Sequence, residues 1–208
     1  MFQKKPVTPR KQASQHRSQD TVEVILQAAT HILEKVGMTQ ATTNRIAEHA
    51  GVSIGSLYQY FPNKEALAGA LIDREIRRKA EFVLEKLETL KDQPIEVLLH
   101  QISAEFTTLF LKNRRFLRAI MMWIPSLEKI PVIMQTRKNV IAALAIELEK
   151  RQAEITHPSP RHAAWVLVHG TMGLLQMHLY EDEPTLTKDE LQAELTRCMR
   201  GYLMVPTA

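Results

Sequence analysis

The chain of 208 residues is long enough for a sizeable core, and 45% hydrophobic with 24% charged side chains is a globular composition that excludes a low-complexity or collagen-like chain. One cysteine, Cys198, excludes an intrachain disulfide, and no charged segment leading into an apolar run opens the sequence, so it reads as a reduced cytoplasmic protein. The formal charge of +4 is uneven: residues 1–80 hold 12 Lys/Arg against 7 Asp/Glu and residues 81–208 hold 15 against 16, which puts the phosphate-seeking charge in the N-terminal part.

Residues 1–19 carry Lys4, Lys5, Arg10, Lys11 and Arg17 with two prolines and few large apolar side chains, and read as a disordered basic arm, either a passive tail or a DNA-contacting one. Helical spacing begins after Asp20, with Val24, Ala28, Ile32 and Val36 at every fourth position; Asp20 and Glu23 are spaced as a capping box and Gly37 is the stop. Thr42 and Thr43 are candidate caps for a short second helix that ends at Gly51, and Ser53 caps a third reaching about Tyr60. Asn63 then caps a helix from Lys64 to about Leu90, roughly 40 Å at 1.5 Å per residue and long enough to link two domains. Pro94 opens a helix to about Leu111, Arg114 to Trp123 forms a short one, and a long one runs from about Val132 to Ile155. Ser159 and Pro160 start a helix with no formal charge between Arg161 and Glu181; His162, His169, Gln176, His178 and two glycines argue against a membrane and for burial on nearly all faces. Thr187 and Glu190 form a capping box for the last helix, and no segment shows strand alternation. The reading is an all-α fold of about nine helices: arm 1–19, a short N-terminal helical domain 20–66, and a helical domain 67–208.

Residues 42–61, TTNRIAEHAGVSIGSLYQYF, carry the strongest signal. Two short helices crossing steeply need a small residue at the crossing (Ala47), a residue that tolerates positive φ in the turn (Gly51) and inward apolar residues (Ile46, Ala50, Val52, Leu57). At these residues the chain resembles the TetR family of bacterial repressors, through the Thr-x-x-x-Ile-Ala run, the Ala-Gly-Val-Ser turn, Leu57-Tyr58-Gln59-Tyr60-Phe61 and Asn63-Lys64-Glu65-Ala66-Leu67. The resemblance covers about residues 20–75. It implies that Thr43, Arg45, Gly55, Ser56 and Gln59 lie near bases or the adjacent sugar-phosphate, and that Tyr58, Tyr60 and Lys64 clamp the phosphates of double-stranded DNA. Chemically, Gly55 and Ser56 add little bulk, and the Gln59 amide can read adenine with two hydrogen bonds. Tyr60 and Phe61 also fit core positions, and Arg45 fits a solvated surface.

In the remaining two thirds Phe106, Phe110, Met121, Met122, Trp123, Trp165, His169, Met172 and Gln176 are the candidate lining of a ligand pocket, core packing being the competing reading of each. Gly170 and Gly173 permit close helix approach, and with Leu191, Leu195, Cys198, Met199 and Tyr202 they are the candidate dimer interface. The resemblance implies the same, since TetR-family members commonly dimerise through their last two helices. Cys198 reads as a small buried hydrophobe. His162 and His169 stand seven apart without a cysteine pair, and no phosphate loop or nucleophile elbow is present, so no metal, cofactor or catalytic site is expected. The expected function is a homodimeric repressor released from a palindromic operator by a small, largely apolar effector. The alternatives are a DNA-binding architectural or partner-regulated factor, separated from the first by a filled core with an exposed apolar patch, and a helical enzyme, separated by converging residues of perturbed pKa.

Overall fold

A computed structural model describes residues 10–112, 114–123 and 131–204, with side chains described at 18–37, 40–112, 114–118 and 131–204. Among the described residues the fold is all-α: α1 (Arg10–Gln40), α2 (Thr43–Ala50), α3 (Ile54–Tyr60), α4 (Lys64–Thr89), α5 (Ile95–Leu111), α6 (Arg114–Trp123), α7 (Pro131–Lys150), α8 (Pro160–Tyr180) and α9 (Lys188–Met204). The chain divides into two compact units between Leu71 and Ile72, within α4 and five residues beyond the boundary expected from sequence.

In the first unit α1 packs on α2 and α2 on α3. The four-residue spacing of α1 puts Ile25, Ala28, Ala29 and Leu33 on one buried face, while Ile46, Ala47 and Leu57 are buried on α2 and α3. Emptying the Leu57 site, which is 0% exposed, costs about 2–5 kcal/mol on the scale of buried leucine-to-alanine changes. α1 starts at Arg10, not at Asp20: no glycine or proline interrupts residues 10–36, and Lys11, Gln12, Ala13, Gln15 and Arg17 are good helix formers, so the polar stretch read as part of the arm continues the helix. Residues 1–9 of that arm lie outside the described residues. Gly37 breaks the helical backbone inside this span at φ 68° and ψ −174°, where a side chain would be strained.

In the second unit α5, α7, α8 and α9 pack around two apolar clusters. One gathers Leu98, Leu148, Ala163, Ala164 and Leu203, the other Phe106, Phe110, Leu175, Leu179 and Leu195. α7 ends at Lys150, short of the expected Ile155, because the chain tightens to bonds from Arg151 N–H to Leu148 O (3.2 Å) and from Gln152 N–H to Glu149 O (3.3 Å). This turn places the Arg151 guanidinium against the loop after α4, where it donates to Leu90 O (2.9 Å), Lys91 O (2.6 Å) and Gln93 O and to Glu147 Oε1 (2.7 Å). The capping box of α9 is present: Glu190 Oε2 accepts the Thr187 N–H at 2.8 Å, and Thr187 Oγ1 accepts the Glu190 N–H at 3.3 Å.

α8 departs from the sequence reading. It is not buried all round: Trp165 is 56% exposed and Met177 58%, with Val166 and Leu174 exposed beside them. No described helix is long and apolar enough to cross a membrane.

Candidate nucleic-acid interface and cavity

The helix-turn-helix is set by its caps. Thr42 Oγ1 accepts the Arg45 N–H at 3.3 Å to start α2, and Gly51, at φ 66° and ψ 27°, ends it. Gly51 N–H then reaches Glu48 O at 3.1 Å and Val52 N–H reaches Ala47 O at 3.0 Å, so the turn leaves few orphan carbonyls. Ser53 Oγ accepts the Ser56 N–H at 3.0 Å to start α3, and Asn63 Oδ1 accepts the Ala66 N–H at 2.7 Å to start α4.

Among the expected DNA-contacting residues, Arg45, Gly55, Tyr58, Gln59 and Lys64 are exposed, and Ser56 and Tyr60 are half-buried. Thr43 departs from its expected place: it is buried, and its hydroxyl lies 3.1 Å from Tyr58 Oη, a bond that ties α2 to α3. Its position inside the second helix, one residue after the cap, turns it toward the neighbouring helix. Arg45 Nη1 donates to Gln40 O at 3.3 Å, so its stem is held at the entry to α2. Gly55 carries an ordinary helical backbone, and a Cβ there would meet nothing nearer than Ser53 Oγ at 3.8 Å. A glycine inside a helix costs about 1 kcal/mol against alanine, and nothing inside the chain requires it here. Sequence reasoning passed over Ile54, an apolar side chain left 40% exposed at the start of α3, and the His31–His49 pair, whose rings stack at 4.7 Å and 2°.

A cavity of about 430 Å³ in the second unit is lined by α4, α5, α7 and α8, together with Leu117 of α6 and Met199 of α9. Of the candidate lining residues read from sequence, Phe106, Phe110, Met172 and Gln176 lie on its wall. Trp165 and His169 do not: they sit on the outer side of α8, ring against ring at 4.3 Å, with His169 Nδ1 2.9 Å from Trp165 O. α8 is apolar on more than one face, so a seven-residue repeat could not tell which face turns inward. The expected lining side chains Met121, Met122 and Trp123 lie outside the described residues.

Apart from Gln176, the polar part of the wall was not read from sequence. Glu75 and Lys79 on α4 are both buried, joined at 3.1 Å, and Arg78 Nη2 also donates to Glu75 Oε2 at 3.0 Å. Burial pushes the Lys79 ammonium below its usual pKa, and the Glu75 carboxylate pulls the other way. Thr136, Arg137, Thr171 and Tyr180 complete the polar lining. The available signal was the spacing of Ile72, Glu75, Ile76, Lys79 and Val83, which puts two charges on the apolar stripe of α4.

The expected dimer residues separate into two groups. Leu191, Leu195 and Met199 are buried in the clusters of their own chain, because the apolar face of α9 is the face that packs on α5. Tyr202 is half-buried with its ring 4.8 Å from His157. Cys198 is exposed, not the buried hydrophobe read from sequence. Gly170 is exposed and Gly173 half-buried, and a Cβ on either would meet nothing within 4 Å.

Comparison with known proteins places this architecture. Residues 25–71 match the model of the bacterial regulatory proteins of the tetR family, and residues 94–203 match the tetracyclin repressor-like C-terminal domain. An uncharacterized HTH-type transcriptional regulator of Mycobacterium tuberculosis is 32% identical over 158 residues, 74% of each chain. Among solved structures, a TetR-family transcriptional regulator from Mesorhizobium loti superposes with a TM-score of 0.70 at 18% identity, covering 91% of this chain and 99% of its own. NalD of Pseudomonas aeruginosa, the secondary repressor of the MexAB-OprM multidrug efflux pump, superposes at 0.65 with 24% identity, covering 90% and 98%. The chain belongs to the TetR family of transcriptional regulators and carries that family's DNA-binding helix-turn-helix.

Proposed function

We propose that this regulator is a homodimeric repressor that holds a palindromic DNA operator and releases it when a small, largely apolar effector enters the cavity of the second unit. The observation that carries the reading is the cavity itself: about 430 Å³, lined mainly by apolar side chains and a few polar ones, within the range of roughly 300–1,000 Å³ typical of small-molecule sites. A partner-regulated factor without an effector would instead be expected to have a filled core.

On the DNA side, α3 enters the major groove with Gly55 at the point of closest approach and Gln59 reading a base edge. The glycine that no internal contact demands supports this, since it clears the way for something outside the chain. Tyr58 and Lys64 bond phosphate oxygens, and the Tyr58–Thr43 hydrogen bond orients the phenol for that contact. Two subunits meet through α8, where Val166, Gly170, Gly173, Leu174 and Met177 fall at helical spacing and the two glycines let a second helix come close. Effector binding then favours the dimer state whose recognition helices no longer match successive major grooves, by the difference in its affinity for the two states. Such a protein acts in the cytoplasm, where its DNA lies.

The test is selection of bound sequences from a random DNA pool, followed by a screen of small molecules for release of the selected site at one fixed salt concentration. Enrichment of a palindrome and its release by a cavity-binding compound are expected. No enrichment over bulk DNA refutes the operator reading, and retention of DNA under saturating ligand refutes the effector reading.

A further inference from the structure

We propose that the cavity selects a ligand with an anionic head, a carboxylate on an apolar body, and that Lys79 and Arg137 hold that head; this deepens the reading of the cavity as an effector site and rests on it. Among the described residues the cavity wall carries two basic side chains, Lys79 and Arg137, and one acidic one, Glu75. Glu75 is already answered. Its Oε2 accepts from Lys79 Nζ at 3.1 Å and from Arg78 Nη2 at 3.0 Å, and a carboxylate under two cations presents little negative potential to the cavity.

The cations are less well provided. Lys79 has three donors and a side chain only 8% exposed; among the described residues it shares one carboxylate with Arg78, and its other contact is the Phe110 ring, 5.4 Å from Nζ to the centroid. Its lowered pKa has the same cause, burial that Glu75 offsets only in part. Arg137 is half-buried at the wall and makes no hydrogen bond or ion pair with a described residue, although its guanidinium has five donors fixed in a fork that fits a carboxylate. Charges withdrawn from water need partners, and an incoming anion supplies them while Phe106, Phe110, Met172 and their neighbours enclose its apolar body. An incoming cation would instead have to displace Lys79 and Arg78 from Glu75. A neutral ligand would leave the Arg137 fork unanswered.

The experiment titrates the full-length protein calorimetrically with three ten-carbon probes below their micellar concentrations: decanoate, decanol and decyltrimethylammonium. Decanoate is expected to bind about a hundredfold tighter than decanol, about tenfold for each of the two charge-assisted contacts, with decyltrimethylammonium weakest. Arg137→Gln is expected to lose about tenfold for decanoate with decanol within twofold, and the ratio of the two probes separates loss of the charge contact from general damage to the cavity. Glu75→Gln, which relieves Lys79 of its built-in anion, is expected to raise the decanoate-to-decanol ratio. The proposal is overturned by equal binding of decanoate and decanol, by tighter binding of decyltrimethylammonium, or by no binding of any probe. Charge-dependent decanoate binding that leaves DNA bound keeps this proposal and removes the effector reading. Release of DNA by decyltrimethylammonium alone does the reverse.

Discussion

Arg151→Met breaks the polar knot that closes the second unit, and its cost follows from the geometry. The Arg151 side chain is 4% exposed and bonds Glu147 together with the carbonyls of Leu90, Lys91 and Gln93. Without it, Glu147, 6% exposed, keeps among the described residues only Lys150 Nζ at 3.3 Å. Stranding one partner of a buried pair costs about 3–5 kcal/mol. The three carbonyls belong to a turn whose residues Lys91, Asp92 and Gln93 are exposed, so water can reach them and they add only about 1 kcal/mol. The expected loss is about 5 kcal/mol, which for a unit of this size lowers Tm by about 15 °C. Urea unfolding of variant and wild type at one protein concentration measures it, because the contribution of subunit association is then common to both. The double variant Glu147→Leu/Arg151→Met removes the stranded charge and is expected to recover most of the loss. A single variant within about 1 kcal/mol of wild type would show that the knot does not hold the α4–α5 turn and would refute the reasoning.

Thr107 is buried on α5 and its hydroxyl has no hydrogen-bond partner among the described residues, so Thr107→Val is expected to raise stability by about 1 kcal/mol in the same unfolding assay. Burial first, and the Arg114 guanidinium second, hold the His178 imidazole below its usual pKa, against an opposing pull from Glu181. The unfolded chain therefore takes up this proton at a higher pH than the folded one. Stability present above the ordinary histidine range is lost as pH falls through it, and His178→Gln flattens that limb of a stability profile taken between about pH 8 and 5. Leu174→Glu with Met177→Glu puts charge on the exposed face of α8, and sedimentation is expected to shift from dimer to monomer while the helical circular dichroism is kept.

The fold was legible where punctuation and periodicity coincide. Gly37 marks the break in its helix, Thr42, Gly51, Ser53 and Asn63 mark their helix ends because cap chemistry is local, and the Thr187–Glu190 box is local too. The start of α1 was not, since a polar stretch of good helix formers looks like a tail until Arg10 is seen to begin a helix. Which face of α8 turns inward was not legible either. Trp165 and Met172 read alike in sequence, yet one is exposed and the other lines the cavity, because that choice is made by α5 and α7 and not by α8 itself. The same tertiary choice hides Leu191, Leu195 and Met199 from any partner and leaves Cys198 outside. Thr43 was placed by its helix register against Tyr58, a pairing fifteen residues apart that only the crossing of α2 and α3 creates.

The central claim, that α3 reads DNA while its neighbours hold the backbone, is tested most directly by the salt dependence of binding to the selected operator and to bulk DNA for wild type, Gln59→Ala and Lys64→Ala. Gln59→Ala is expected to leave the slope of log K against log salt unchanged and to shrink operator preference by about 1–3 kcal/mol. Lys64→Ala is expected to weaken both DNAs alike and to reduce the slope by about one ion. Unchanged preference in Gln59→Ala together with an unchanged slope in Lys64→Ala, both variants being folded, would contradict the account.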